Sequence, residues 1–170
     1  MKKSSFPACL LVALVCTSPA LSAEAILIDD FGDWSAYTVA EGGNKVCYIG
    51  GLPDKSEGKY SARGDTHTLV THRPAEKAVN VVSIRAGYTY GKESEVEVAI
   101  DDATFQLFTD EGHAFAWDSR ADAALVKAMM AGTKMIVRGT SSRGTRTVDT
   151  YSLKGFTAAY RAIGKACGVN

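Results

Sequence analysis

The last third of the chain contains the pattern that most constrains the fold. Residues 141–144 have the Ser, Arg and Gly composition of a hairpin turn, and residues 145–153 alternate as a β-strand does. From Phe156 onward the apolar residues recur at the 3.6-residue period of a helix, and this stripe ends at Cys167. The order predicts a β-rich domain whose terminal helix packs on a sheet and presents a cysteine from its buried face.

The first residues have the composition of a secretory signal peptide. Two lysines follow the first methionine, residues 8–15 form a short apolar run, and small residues allow cleavage after Ala23 or Ala25. The run is shorter than the roughly 20 residues that a membrane-spanning helix needs. We therefore expect a signal peptide over residues 1–23 and a single domain over residues 24–170 without a transmembrane segment. The expected location is periplasmic, outer-envelope or secreted.

Loss of this leader leaves Cys47 and Cys167 as the cysteines of the mature chain. In an exported protein two cysteines most simply form one disulfide, and two free buried thiols are the alternative. Without the two leader lysines, the 19 basic residues become 17 against 19 acidic ones, a net charge of about −2. Binding to nucleic acid needs a concentrated basic surface, so we expect no nucleic-acid partner.

Short alternating segments joined by turns make up most of the mature chain. We expect roughly eight or nine strands and a long surface loop over residues 50–66. Asp118 or Ser119 can cap a first helix, and we expect Gly132 to end it in the left-handed conformation. Because the strand connections are short, antiparallel pairing and a β-sandwich with two short helices are the predicted fold class.

Residues for catalysis or metal binding form no known motif in this chain. His67 and His72 are five apart on an extended segment, so alternation places them on opposite faces and prevents shared ligation, while His113 stands alone. We expect no cofactor, no metal and no catalytic residues. Two alternatives stay open: a hydrolase in which Ser152 and a histidine meet in space, and a carrier with a deep apolar pocket for a small ligand.

The hairpin near residue 141 carries the best candidate contact surface. Its hydrogen-bond donors and cations suit a glycan, an anionic group or another protein, and a solvated tip without a partner is the alternative interpretation. The candidate residues are Ser142, Arg143, Thr145 and Arg146. Asp149, on the strand that follows, is expected to pair with Arg138 across the hairpin.

Several segments resemble the invasion-associated locus B family of exported alphaproteobacterial proteins. They are Phe31-Gly32-Asp33-Trp34, Ala116-Trp117, the helix over residues 125–132, and residues 139–145 leading into residues 149–156. The resemblance implies an immunoglobulin-like β-sandwich, an envelope or periplasmic location and a link to host-cell entry and virulence, but no catalytic residues.

The chain departs from the family in one respect. Many members carry a cysteine a few residues after the counterpart of Trp34, where this chain has residues 35–39 without one, so pairing of Cys47 with Cys167 rests on counting. We therefore expect a non-enzymatic exported protein that acts in binding or in envelope and host interaction. Its partner, a protein or a glycan in the envelope or on a host cell, is unknown.

Overall fold

The structure is a computed structural model that describes residues 24–169. The predicted signal peptide over residues 1–23 lies outside the described residues. Among residues 24–169, no helix has the length and apolar content to span a bilayer.

Eleven β-strands and two α-helices make up the described chain. The strands are β1 (Ile26–Phe31), β2 (Trp34–Glu41), β3 (Asn44–Gly51), β4 (Lys55–Gly58), β5 (His67–Arg73), β6 (Ala78–Arg85), β7 (Glu95–Ile100), β8 (Ala103–Asp110), β9 (His113–Phe115), β10 (Lys134–Thr140) and β11 (Arg146–Ser152). The helices are α1 (Ser119–Ala131) and α2 (Phe156–Cys167), and a 3₁₀ turn covers Pro74–Glu76.

All eleven strands belong to one antiparallel sheet with the order β1-β2-β3-β5-β6-β9-β8-β7-β10-β11-β4. The sheet bends so that strands far apart in this order contact each other. Trp34 of β2 donates from Nε1 to the carbonyl of Ser152 on β11 at 2.9 Å, and its ring packs edge-to-face on Phe156. The mainly β, antiparallel class is confirmed. Because the strands share one hydrogen-bonded sheet, the immunoglobulin-like sandwich stays a prediction.

The core fills the inside of this bend with alternate residues of each strand. On β5, Thr68, Val70 and His72 are buried while His67 is only partly covered, so the two histidines lie on opposite faces as predicted. Each large apolar side chain buried in this way contributes about 1.5–3 kcal/mol.

Helix α1 begins as the sequence predicts and ends differently. The Asp118 side chain accepts a hydrogen bond from Ala121 N at 2.8 Å and caps the helix. The predicted left-handed conformation at Gly132 is wrong, because its φ and ψ are −80° and 170°. Packing explains the glycine instead: a Cβ here would lie 2.4 Å from Cγ2 of Ile100.

Helix α2 closes the fold on the early strands. Phe156, Ala159 and Ile163 are buried on its inner face, as the apolar stripe predicts. At its end Cys167 is joined by a disulfide to Cys47 of β3, with the two Cα atoms 6.0 Å apart. The last element is thereby tied to a strand 120 residues earlier in the chain.

Candidate functional site

A polar cleft with a volume of about 640 Å³ opens beside the β10–β11 hairpin. One wall is the loop over residues 59–64, which follows β4. The floor is formed by residues 87–89 after β6. The other wall is the hairpin, which contributes Ser141, Ser142, Arg143, Thr145 and Thr147.

The loop wall lies in a region that the sequence predicts as one long surface loop over residues 50–66. That prediction is wrong in part, because β4 lies within it and pairs with β11 from Thr147 to Thr150. This pairing brings the remaining loop back against the sheet. There Gly64 N donates to the carbonyl of Gly87 at 2.9 Å. The loop therefore has a defined position beside the hairpin.

A buried ion pair fixes the loop to the core. Arg63 donates from both terminal nitrogens to the two carboxylate oxygens of Asp149, each at 2.6 Å, and from Nε to the carbonyl of Ala86 at 2.6 Å. The two side chains are only 6% and 3% exposed. Burial alone would lower the pKa of Arg63, but the hydrogen bonds and charge of Asp149 raise it above its ordinary value. The charge of the Arg63 guanidinium is thus balanced by Asp149 inside the protein.

The predicted pair between Asp149 and Arg138 is wrong for a geometric reason. Asp149 lies opposite Val137 in the register and points into the core, whereas Arg138 is one position further and points outward. Instead, Nη1 of Arg138 lies 2.7 Å from Oε1 of Glu97 on β7, and the two side chains are 46% and 41% exposed.

Two tyrosines flank the Arg63 guanidinium. Its carbon lies 5.1 Å from the ring centre of Tyr88 and 5.7 Å from that of Tyr60, which is within the range of cation–π attraction. The Tyr88 hydroxyl shares a 2.6 Å hydrogen bond with Oγ1 of Thr147. Burial raises the pKa of Tyr88 above its ordinary value, so its hydroxyl stays neutral at physiological pH. The side chains at the back of the cleft therefore hold one another in place, and the charges of Arg63 and Asp149 balance.

The hairpin tip is held by its own hydrogen bonds. The Ser141 hydroxyl accepts from Arg143 N at 3.3 Å and from Thr145 N at 3.1 Å. Gly144 takes a positive φ of 79° in the turn. Ser142 N donates to the carbonyl of Thr89 on the cleft floor at 2.8 Å. The tip thus presents its side chains from a fixed backbone.

The predicted contact residues divide between the cleft and the surface outside it. Ser142, Arg143 and Thr145 line the cleft, while Arg146 is exposed and does not. Their role in binding stays a prediction.

The charge of the cleft is positive. Lys59 and Arg143 are the cations of the lining that have no ion-pair partner among the described residues, and none of the lining residues is Asp or Glu. Hydroxyl groups from serine, threonine and tyrosine cover much of the rest. Such a surface can hold an anionic group through charge-assisted hydrogen bonds and can hold sugar hydroxyls through neutral ones.

The other candidate groups occupy separate places. His72 is buried and accepts a hydrogen bond at Nδ1 from Asn80 N at 3.1 Å, while the Ser152 hydroxyl accepts from Lys154 N. In the part of the chain that the structure describes, no cluster of His, Cys, Asp and Glu has the arrangement of a metal site.

Sequence reasoning missed Arg63 and Tyr88, and it did not place the predicted loop that carries Arg63 against the sheet. One signal was available. Asp149 shares the inward face of its strand with Thr147 and Tyr151, and a buried carboxylate requires a cation or several donors.

The chain matches one known family. The family described as Invasion associated locus B (IalB) protein matches residues 34–164, which is more than half of the chain. Searches of the curated proteins and of the solved structures found no match.

Proposed function

We propose that this chain, which belongs to the invasion associated locus B family, is a non-enzymatic binding protein of the cell envelope that holds an anionic, polar ligand in the hairpin cleft. One observation carries the proposal. The cleft offers Lys59 and Arg143 without a carboxylate in its lining, because Asp149 behind it is already paired with Arg63. An anionic ligand in the cleft would therefore meet two cations and no opposing carboxylate in the lining.

The donors of the cleft favour an acidic sugar over a bare inorganic anion. Ser142, Thr145 and Thr89 place hydroxyl groups around the cationic side chains, and these can match the hydroxyls of a sugar ring. A charge-assisted hydrogen bond contributes about 1.5–3 kcal/mol, so one carboxylate bound by Arg143 provides the main anchor. The fixed backbone of the hairpin reduces the ordering cost of binding.

The proposal places the protein outside the cytoplasm. The signal-peptide composition of residues 1–23 and the Cys47–Cys167 disulfide support export, because disulfides persist in oxidising compartments. In the envelope or outside it, such a site would meet acidic glycans of the cell itself or of a host. Sequencing the N-terminus of protein recovered from the periplasm should find Glu24 or Ile26, and an intact Met1 would contradict export by cleavage.

The finer fold belongs to the same proposal. We take the bent sheet as a scaffold of the immunoglobulin-like sandwich type, with hairpins and loops at its ends available for binding. The contact of Trp34 on β2 with Ser152 on β11 supports two layers packed face to face.

Titration with galacturonate and galactose tests the binding site. We expect galacturonate to bind more tightly than neutral galactose, and Arg143→Gln to weaken galacturonate binding about tenfold through loss of one charge-assisted contact. Arg161→Gln, an exposed arginine on α2, is the matched control for net charge. Equal binding of the two sugars, or equal effects of the two substitutions, would refute the proposal.

A further inference from the structure

A second, smaller cavity of about 320 Å³ adjoins the hairpin cleft. The two cavities share four lining residues, Gly64, Gly87, Tyr88 and Thr89. The second cavity then extends to Arg85 at the end of β6 and His113 at the start of β9. Because of the shared lining, the two cavities form one groove that is longer than the cleft described above.

An aromatic row continues from the far end of this groove. The His113 ring stacks near Phe115, with ring centres 6.1 Å apart, and Phe115 lies 5.8 Å from Phe108 on β8. The centre of the Trp117 ring lies 5.2 Å from the centre of the Phe108 ring. Trp117 is 62% exposed, which is unusual for so large an apolar side chain. His113, Phe108 and Phe115 are half-buried, so Trp117 is the exposed end of a partly covered aromatic surface, and exposed apolar surface next to a cavity can mark an interaction site.

Strand alternation explains why these rings share the outer face. Leu107 and Ala114 are buried, so their neighbours Phe108, His113 and Phe115 point away from the core. The register places Phe108 opposite Phe115 on the neighbouring strand. Three members of the row therefore lie on paired strands, and Trp117 follows in the short connection between β9 and α1.

Basic groups lie beside the aromatic row. Arg85 is exposed, and the register places it between His113 of β9 and His67 of β5. The acidic groups here are Glu111 in the cavity lining, Asp110 opposite His113, Glu95 opposite Phe108, and Asp65, which lies near His67. Arg85 thus gives the outer part of the groove a cation, as Arg143 does for the hairpin part.

We infer that this groove binds an acidic oligosaccharide chain, with acid groups at Arg143 and Arg85 and sugar rings on the aromatic row that ends at Trp117. The inference rests on the proposed function and extends it from one sugar acid to a chain of several units. Charge complementarity supports an anionic occupant, and flat exposed rings beside hydroxyl-lined cavities suit sugar rings.

The topology argues against an extended peptide in the same place. Recognition of a peptide by strand addition requires a free sheet edge. Beside the groove, β9 pairs with residues 83–85 of β6 on one side and with residues 108–110 of β8 on the other, so this part of the sheet has no free edge. A ligand on this face therefore binds without strand pairing, through the side chains and loop backbone that line the groove.

Galacturonate oligomers of one to six units are the probe for this inference. We expect the hexamer to bind the full chain at least about tenfold more tightly than the monomer, and Trp117→Ala to remove that gain while monomer binding stays unchanged. Tyr37→Ala, which removes an aromatic side chain from β2, is the matched control and should retain the gain. Because the proposed function is non-enzymatic, chromatography of the binding mixture should recover the oligomers at their original length.

Tryptophan fluorescence gives a second readout that needs no variant. The chain has two tryptophans, and Trp34 is buried at 1% exposure, so a shift on binding reports on Trp117. The hexamer should shift the emission and the monomer should not. Equal affinity for both lengths, or a full gain in Trp117→Ala, would overturn the extended groove and leave the hairpin site standing. Hexamer binding that needs Trp117 but is insensitive to Arg143→Gln would overturn the hairpin site instead.

Discussion

Replacing Asp149 by alanine tests how strongly the buried ion pair holds the cleft wall. The substitution removes both 2.6 Å hydrogen bonds to Arg63 and leaves a guanidinium that is 6% exposed with one remaining partner, the carbonyl of Ala86. An uncompensated buried charge of this kind costs about 3–5 kcal/mol of unfolding free energy. The exposed pair of Arg138 and Glu97 is joined by a single contact of 2.7 Å and contributes only about 0–1 kcal/mol, because water solvates both groups.

Urea unfolding of matched variants measures this difference. For a small domain the slope is about 1–3 kcal/mol per molar urea, so Asp149→Ala should lower the midpoint by roughly 1–5 M. Arg138→Ala is the control and should shift it little. The double replacement Arg63→Met, Asp149→Leu should recover most of the loss, because apolar residues of similar size avoid the cost of desolvating two charges.

Two outcomes would refute this reasoning. A loss below about 1 kcal/mol for Asp149→Ala would mean that Arg63 leaves the core and is solvated without its partner. An additive effect in the Arg63, Asp149 double-mutant cycle would mean that the two side chains are not energetically coupled.

Three further predictions concern other parts of the fold. Reducing the Cys47–Cys167 disulfide, which spans 120 residues, should lower the unfolding free energy by about 4–5 kcal/mol in a comparison with and without reductant, and an unchanged value would contradict it. Gly155→Ala should cost more than about 3 kcal/mol, because its φ is +90° and a Cβ would lie 1.6 Å from the Phe31 carbonyl oxygen; Gly42→Ala, at φ +56° in open space, should cost only about 1–2 kcal/mol by the same assay. Burial lowers the pKa of His72 below its ordinary 6.5, so its contribution to stability is complete above pH 6.5 and declines as the pH falls toward the folded-state pKa. Unfolding free energies from pH 7 to 5 should show that decline in the wild type and a smaller one in His72→Gln.

Local periodicity predicts much of this fold because it reports burial residue by residue. The change from alternation to a helical period at Phe156 locates α2, and the capping residue Asp118 locates the start of α1. Reasoning from the local sequence fails at Gly132. The backbone there is extended, and the glycine leaves room for the side chain of Ile100. A contact between elements far apart in sequence leaves no periodic signal.

The candidate site, too, could be predicted from the local sequence only in part. Alternation predicts that the hairpin ends in a polar turn, and Ser142, Arg143 and Thr145 do line the cleft. The opposite wall could not be predicted, because Arg63 lies in an aperiodic segment 86 residues before its partner Asp149. The pairing of β4 with β11 and the hydrogen bonds of the loop to residues 86–87 bring the two walls together.

The segment over residues 86–91 determines the shape of the cleft more than either wall does. The loop wall is fixed to it by Arg63 Nε on the Ala86 carbonyl and by Gly64 N on the Gly87 carbonyl. The hairpin wall is fixed to it by Ser142 N on the Thr89 carbonyl and by Gly91 N on the carbonyl of Thr140.

Both walls are therefore positioned against one common strip of backbone. That strip depends on Gly87, whose φ is +72° and where a Cβ would lie 2.3 Å from the Gly64 carbonyl oxygen. A side chain at this position would push the loop wall from the floor while leaving the hairpin in place, so the width of the cleft depends on a glycine that contributes no binding group. Cation placement and cleft width are thus set by different residues. A site built in this way can change its ligand through Lys59 or Arg143 without disturbing the fold that supports it.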